Sequence, residues 1–106
     1  MRKNTGRLAF ATLRRLIMRA VITVIGKDMV GILAKISTEC SDHNINVLEV
    51  TQSILQDMFA MIMMVDISKS DIPFTELTEK LEKTGNEMGL SIHAMHEDIF
   101  NAMHTI

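Results

Sequence analysis

The segment Met58–Ile67 (MFAMIMMVDI) limits what this chain can fold into more than any other. It holds one charged side chain, Asp66, and is half as long as the ~20 apolar residues a membrane-spanning helix needs. Gln56 and Asp57 form a two-residue turn before it, so it reads as a strand returning from a hairpin. Strand side chains alternate, which puts Phe59, Met61, Met63 and Val65 on one face and Ala60, Ile62 and Met64 on the other. Both sets are apolar. A sheet with helices on one side only should alternate apolar with polar residues, so this strand belongs to a sheet covered on both faces.

The neighbouring segments supply the rest of the sheet. Ala20–Ile25 (AVITVI) is a β-branched strand, also apolar on both faces and closed by Gly26. The turn Gly26-Lys27-Asp28-Met29-Val30-Gly31 follows, with Asp28 placed to cap a helix by accepting backbone N–H groups of its first turn. Ile32, Ile36 and Cys40, with Leu33 beside them, mark the buried side of a helix that runs to about His43. Asp42-His43-Asn44 and Asn46 break that pattern, and Val47–Leu55 is the next strand. Ser70-Asp71-Ile72-Pro73 opens a second helix, with Pro73 near its first turn, where a missing N–H is harmless. Phe74, Leu77, Leu81 and Met88 mark its buried face, and Gly89 stops it. Leu90–Met95 is a fourth strand, and Glu97–Thr105 a short terminal helix with Ile99, Phe100 and Met103 on its apolar side. The order strand, helix, strand, strand, helix, strand predicts an α+β fold. It is the ferredoxin-like βαββαβ sandwich, a four-stranded antiparallel sheet with two helices on one face, here with a short C-terminal helix added. The second face needs its own cover. A second copy of the chain is the simplest one, ahead of the terminal helix and the residues before the first strand.

The chain has 106 residues, room for one core. Its single cysteine, Cys40, cannot form an internal disulfide, which suits a reducing cytoplasm. Residues 1–17 hold five of the 11 basic side chains and none of the 13 acidic ones, so a basic leader precedes an acidic domain at 18–106. An acidic body with Phe59 as the sole aromatic on its middle strands argues against nucleic-acid binding. Three readings of the leader stay open. It is a targeting peptide without a small-residue cleavage site, or an amphipathic helix docked through Leu8, Leu13 and Leu16. The third is an over-long reading frame, since AGG-AGG codons at Arg14-Arg15 would make a ribosome-binding sequence just before Met18.

The segment Ile22-Thr23-Val24-Ile25-Gly26-Lys27-Asp28-Met29-Val30-Gly31-Ile32-Leu33-Ala34, together with Asn44-Ile45-Asn46-Val47, resembles the ACT domain over residues 18 to about 95. Asp28 and Gly31 match the family's turn, while Val30 stands where proline is frequent. The likeness is closest to the small free-standing ACT proteins of bacteria, each a single such domain. It implies a regulatory module that pairs into a homodimer, binds a small amino acid and acts on an enzyme or transcription regulator. It implies no cofactor, no catalysis and no membrane. In serine-sensing ACT domains of the phosphoglycerate dehydrogenase type, the ligand lies at a dimer interface against this turn and an Asn before the second strand. The matching positions are Asp28 and Asn46. Gly26 replaces the histidine those domains place before the turn, so the resemblance does not assign serine.

The expected ligand-binding set is therefore Gly26, Lys27, Asp28, Met29, Val30, Gly31, Asn44 and Asn46, with Asn44 or Asn46 completing the pocket from the other subunit. A helix N-terminus offers free N–H groups and partial positive charge to a carboxylate, and Asp28 offers a counter-charge to an ammonium. Each residue also has a plainer reading: Asp28 as a cap, Gly31 as a close-packing point, Asn44 and Asn46 as turn formers. Two other classes remain as alternatives. One is a protein-interaction dimer that binds no ligand; the other is a metal-responsive module built on His96, Glu97 and His104. His93 and His96, three apart on a strand, point to opposite faces. Cys40 reads as inert core and the methionines of Met58–Met64 as sheet filling. No nucleophile–base pair or phosphate loop supports an enzyme.

Overall fold

The computed structural model describes residues 18–27 and 30–104, so the expectations for the leader, Asp28 and Met29 lie outside the described residues. Four strands and three helices are described: β1 (Arg19–Gly26), α1 (Ile32–Asp42), β2 (Asn46–Leu55), β3 (Met58–Asp66), α2 (Phe74–Met88), β4 (Ser91–His96) and α3 (Glu97–His104). The sheet order is β2-β3-β1-β4 with every neighbouring pair antiparallel, as the ferredoxin-like reading requires. β1 lies at the centre, pairing Ile22 with Met63 on one side and with Ala94 on the other.

Alternation along the strands builds the core. Ala20, Ile22 and Val24 of β1, Met61, Met63 and Val65 of β3 and Ile92 of β4 point to one face and are buried there. Ile32, Ile36 and Cys40 of α1 and Leu77 and Leu81 of α2 close over them at helical spacing. Thr84 donates from Oγ1 to Oε1 of Glu39 at 2.7 Å, tying the two helices together.

The second face is less open than the alternation predicts. Val21 points to it and is fully buried, and its cross-strand partner Met95 is half-buried. α3 packs against β1 and β4, anchored where Arg19 meets Glu97 in a two-pronged ion pair (Nη2 to Oε2 2.7 Å, Nε to Oε1 3.0 Å). Ile25 and Ile62 are the large apolar side chains of this face left substantially exposed. Four side chains assigned to buried faces are open instead: Leu33, Met88, Ile99 and Met103. Each lies beside the helix stripe that meets the sheet, where helical periodicity alone does not fix the edge of the contact.

Candidate ligand-binding site

β1 ends at Gly26, still paired with Phe59 of β3 and packed closely by Leu90. A Cβ built there would lie 2.0 Å from Cδ2 of Leu90. Lys27 follows, its Nζ 4.0 Å from Oδ2 of Asp57 in the hairpin turn, a pair exposed enough to contribute little. Val30 is 86% exposed. Gly31 is the N-cap of α1, with φ 77° and ψ −4°, and its carbonyl accepts from Lys35 N at 3.0 Å. The cap is therefore three residues later than the sequence suggested at Asp28, because a residue in left-handed geometry cannot continue a helix backward. Among the described residues nothing lies within 4 Å of the Cβ that Gly31 lacks, so this glycine answers to its φ. No acidic residue stands in the first turn of α1. A helix end of this kind carries N–H groups without intrahelical partners and a partial positive charge.

A cleft of about 600 Å³ opens beside the turn. Ile25, Gly26 and Lys27 form one wall, Met58 another, and Asn86, Met88, Gly89, Leu90 and Ser91 at the α2–β4 connection the third. Met58, Met88 and Leu90 give it an apolar lining, which no local pattern in the sequence signalled.

Asn44 and Asn46 lie at the opposite end of the domain. α1 separates them from Gly31 with 11 residues, about 16 Å of helix at 1.5 Å per residue. Asn44 has φ 58° and closes the helix: its N–H reaches Ser41 O at 3.2 Å while Ile45 N reaches Cys40 O at 2.8 Å. That is the paired closure in which a left-handed residue follows the last turn, and asparagine tolerates it best after glycine. Asn46 is exposed and opens β2 opposite Asp66. Between them and α2, His43 is held on both ring nitrogens. Lys80 Nζ donates to Nε2 at 3.1 Å, so Nδ1 carries the proton and donates to Asp71 Oδ1 at 2.8 Å.

The metal alternative does not assemble. His96 stacks on Phe74 with ring centroids 4.2 Å apart, and Glu97 is engaged by Arg19. His93 points to the other face, its Nε2 3.1 Å from Ser91 Oγ, and the side chain of His104 lies outside the description. Among the described residues no three His, Cys, Asp or Glu side chains come together. Burial, with Glu39 adding to it, pushes the Cys40 thiol up to about 11, as an inert core position should. No described helix is long and apolar enough to cross a membrane.

A ferredoxin-like sheet of order β2-β3-β1-β4 whose first crossover helix starts at a left-handed glycine defines a small regulatory-type module. Residues 18–95 match the family model of the ACT domain, and the chain belongs to that family. A UPF0237 protein of Methanopyrus kandleri is 46% identical over 88 residues, which cover 83% of this chain and 98% of that one. An ACT domain protein from Streptococcus pneumoniae superposes with TM-score 0.69 at 30% identity, covering 85% of this chain and 98% of its own. A formyltetrahydrofolate deformylase from Pseudomonas syringae shares the fold over 87% of this chain and 32% of its own, with TM-score 0.66 at 18% identity.

Proposed function

We propose that this chain is a regulatory module that senses an amino acid as a homodimer and passes its occupancy to a protein partner. The observation that carries the reading is the start of α1 at left-handed Gly31, with no acidic residue in the helix's first turn, in a chain of the ACT family. The ligand carboxylate lies on the N–H groups near Gly31, and its ammonium pairs with Asp28. Asn44 and Asn46 sit a helix length away, so within one subunit they cannot complete the pocket. Edge strand β2 offers the route. An antiparallel pairing of two β2 strands brings Asn46 of the partner subunit to the Leu55 end of this one, where the β1–α1 turn also lies.

Calorimetric titration of two Asp28 variants tests the site. Asp28→Ala removes a charge-assisted contact and should weaken binding roughly 10- to 150-fold, from about 1.5–3 kcal/mol. Asp28→Asn should also weaken it, because the amide cannot pair as strongly with an ammonium. Parent-like affinity in Asp28→Asn would remove Asp28 from the site. If no amino acid binds the parent, the ligand-free interaction dimer takes over. One observation favours that second reading: Leu90 fills the room beside position 26, where the serine-sensing relatives carry a histidine.

A further inference from the structure

We infer that a second site, at the opposite end of β1 from the β1–α1 turn, binds a short aliphatic carboxylate in a pocket beside His96. The pocket measures about 170 Å³ and is walled by Met18, Ile67, Ile72 and Phe74, together with Leu77, which is 2% exposed. It shares no lining residue with the cleft beside Gly26. At the ~30 Å³ that a water-sized group occupies in a liquid, it takes roughly six heavy atoms, one small molecule and not a peptide. The fold itself holds the walls in place. Ile67 N donates to Met18 O at 2.8 Å, and Ser70 N to Ile67 O at 3.1 Å. Ser70 Oγ donates to Ile72 O at 2.9 Å and accepts from Ile72 N at 3.3 Å, so this hydroxyl of the lining is already engaged. Asp71 N donates to His43 O at 3.2 Å and joins the loop to the end of α1. Phe74 and Leu77 come from the first turn of α2. His96 sets the chemistry. It closes β4 half-buried, its ring stacked on Phe74 with centroids 4.2 Å apart and 30° between the planes. Among the described residues no hydrogen bond occupies its ring nitrogens. An imidazole fixed by a ring contact presents an N–H to a carboxylate whose carbon chain lies among the aliphatic walls. No acidic side chain lines the pocket, so an ammonium group would leave water without a counter-charge. The pocket therefore favours simple carboxylates over amino acids.

The test is an NMR titration of the full chain, labelled at methionine, isoleucine and leucine methyls, with acetate, 3-methylbutanoate, 3-methylbutanol and leucine. 3-Methylbutanoate should shift the signals of Met18, Ile72 and Leu77 and leave those of Met58 and Met88 still. Its affinity should exceed that of acetate roughly 60-fold, about fourfold for each of three further buried carbons. His96→Phe keeps a ring against Phe74 and removes the N–H. It should weaken 3-methylbutanoate roughly 10- to 150-fold and leave 3-methylbutanol within a few-fold of its parent affinity. Ile72→Phe fills the pocket and should abolish the shifts at Met18 and Leu77 with an unchanged circular dichroism spectrum. Still signals at Met18, Ile72 and Leu77 with every ligand would overturn the site. Unchanged 3-methylbutanoate affinity in His96→Phe would overturn the role of His96. Leucine moving the same three signals at equal affinity would overturn the ligand class. A leucine response confined to Met58 and Met88 would leave this site standing and report on the amino-acid reading alone.

Discussion

Two glycines frame the β1–α1 turn for different reasons. Gly31 is required by its backbone, with φ 77° and, among the described residues, nothing within 4 Å of its missing Cβ. Gly26 is favoured by its surroundings, because Cδ2 of Leu90, the mobile end of that side chain, stands 2.0 Å from where a Cβ would lie and would have to shift. Alanine at 31 should cost about 1–2 kcal/mol for a left-handed residue with a side chain. Alanine at 26 should cost about 1–3 kcal/mol through overpacking. Repeating both in a Leu90→Ala background separates the causes: the cost at 26 should shrink, and the cost at 31 should not. Urea melts of the six proteins read the result, and an unchanged cost at 26 would show that Leu90 is not what excludes a side chain there. The sequence marked both glycines and identified Asn44 as a turn former able to adopt left-handed geometry. It misplaced the helix cap at Asp28, since cap preference is a property of residue type and the true start was decided by the φ of Gly31.

Both main helices end with the same closure, a left-handed residue followed by a buried apolar one. In α1 these are Asn44 and Ile45; in α2 they are Gly89, with φ 72°, and Leu90, whose N–H reaches Gly85 O at 2.8 Å. The buried residue pins each helix end to the core, and in α2 it is the same Leu90 that closes the space at Gly26. Cys40 sits one turn before the end of α1, fully buried, with its thiol pushed from 9.0 to about 11, first by burial and then by Glu39. The fold therefore accommodates the neutral thiol. An unfolded chain loses that proton from about pH 9 while the folded chain keeps it to about pH 11, so stability falls as pH rises through this window. Cys40→Ala should flatten this part of the alkaline decline, while the cavity it leaves lowers stability at every pH. Urea melts of parent and variant at neutral pH and above pH 9 compare the slopes; parallel declines would remove Cys40 as their source. Helix and strand identities were legible because apolar residues recur at spacings of 3.6 and 2. The exposed Leu33 and Met88 were not, because stripe width depends on how far the facing sheet extends.

Among the described residues, the sheet leaves one long strand without a partner on its outer side. β2 runs for ten residues with Leu48 50% and Ile54 68% exposed, and neither lysine nor proline blunts it. A bulge shifts the register between Val47 and Glu49, a detail that alternation along β2 does not announce. Such an edge invites a second copy, and this is the surface we assign to the homodimer in place of the apolar face of β3. That face is already partly covered, with Val21 fully buried. Light scattering at micromolar concentration should report about twice the chain mass of 11.9 kDa. Ile54→Lys should halve it and weaken amino-acid binding with it, since the site then lacks Asn46 of the partner subunit. A dimer that persists in Ile54→Lys would move the interface away from β2.

Residue order alone determined the element sequence, the ferredoxin-like topology and the family resemblance at the β1–α1 turn, because each is written in spacings of a few residues. It also raised the expectation of a sheet covered on both faces, whereas the described second face is covered in part, with Val21 buried and Ile25 and Ile62 open. Tertiary structure decided what those spacings cannot hold. It brought Leu90 against Gly26 across most of the chain, opened the cleft between them and the hairpin, and set Asn44 and Asn46 a helix length from the β1–α1 turn of their own subunit. The physical reason is that local patterns record which face of an element is apolar, whereas the neighbour that meets that face is chosen by packing among segments far apart in sequence.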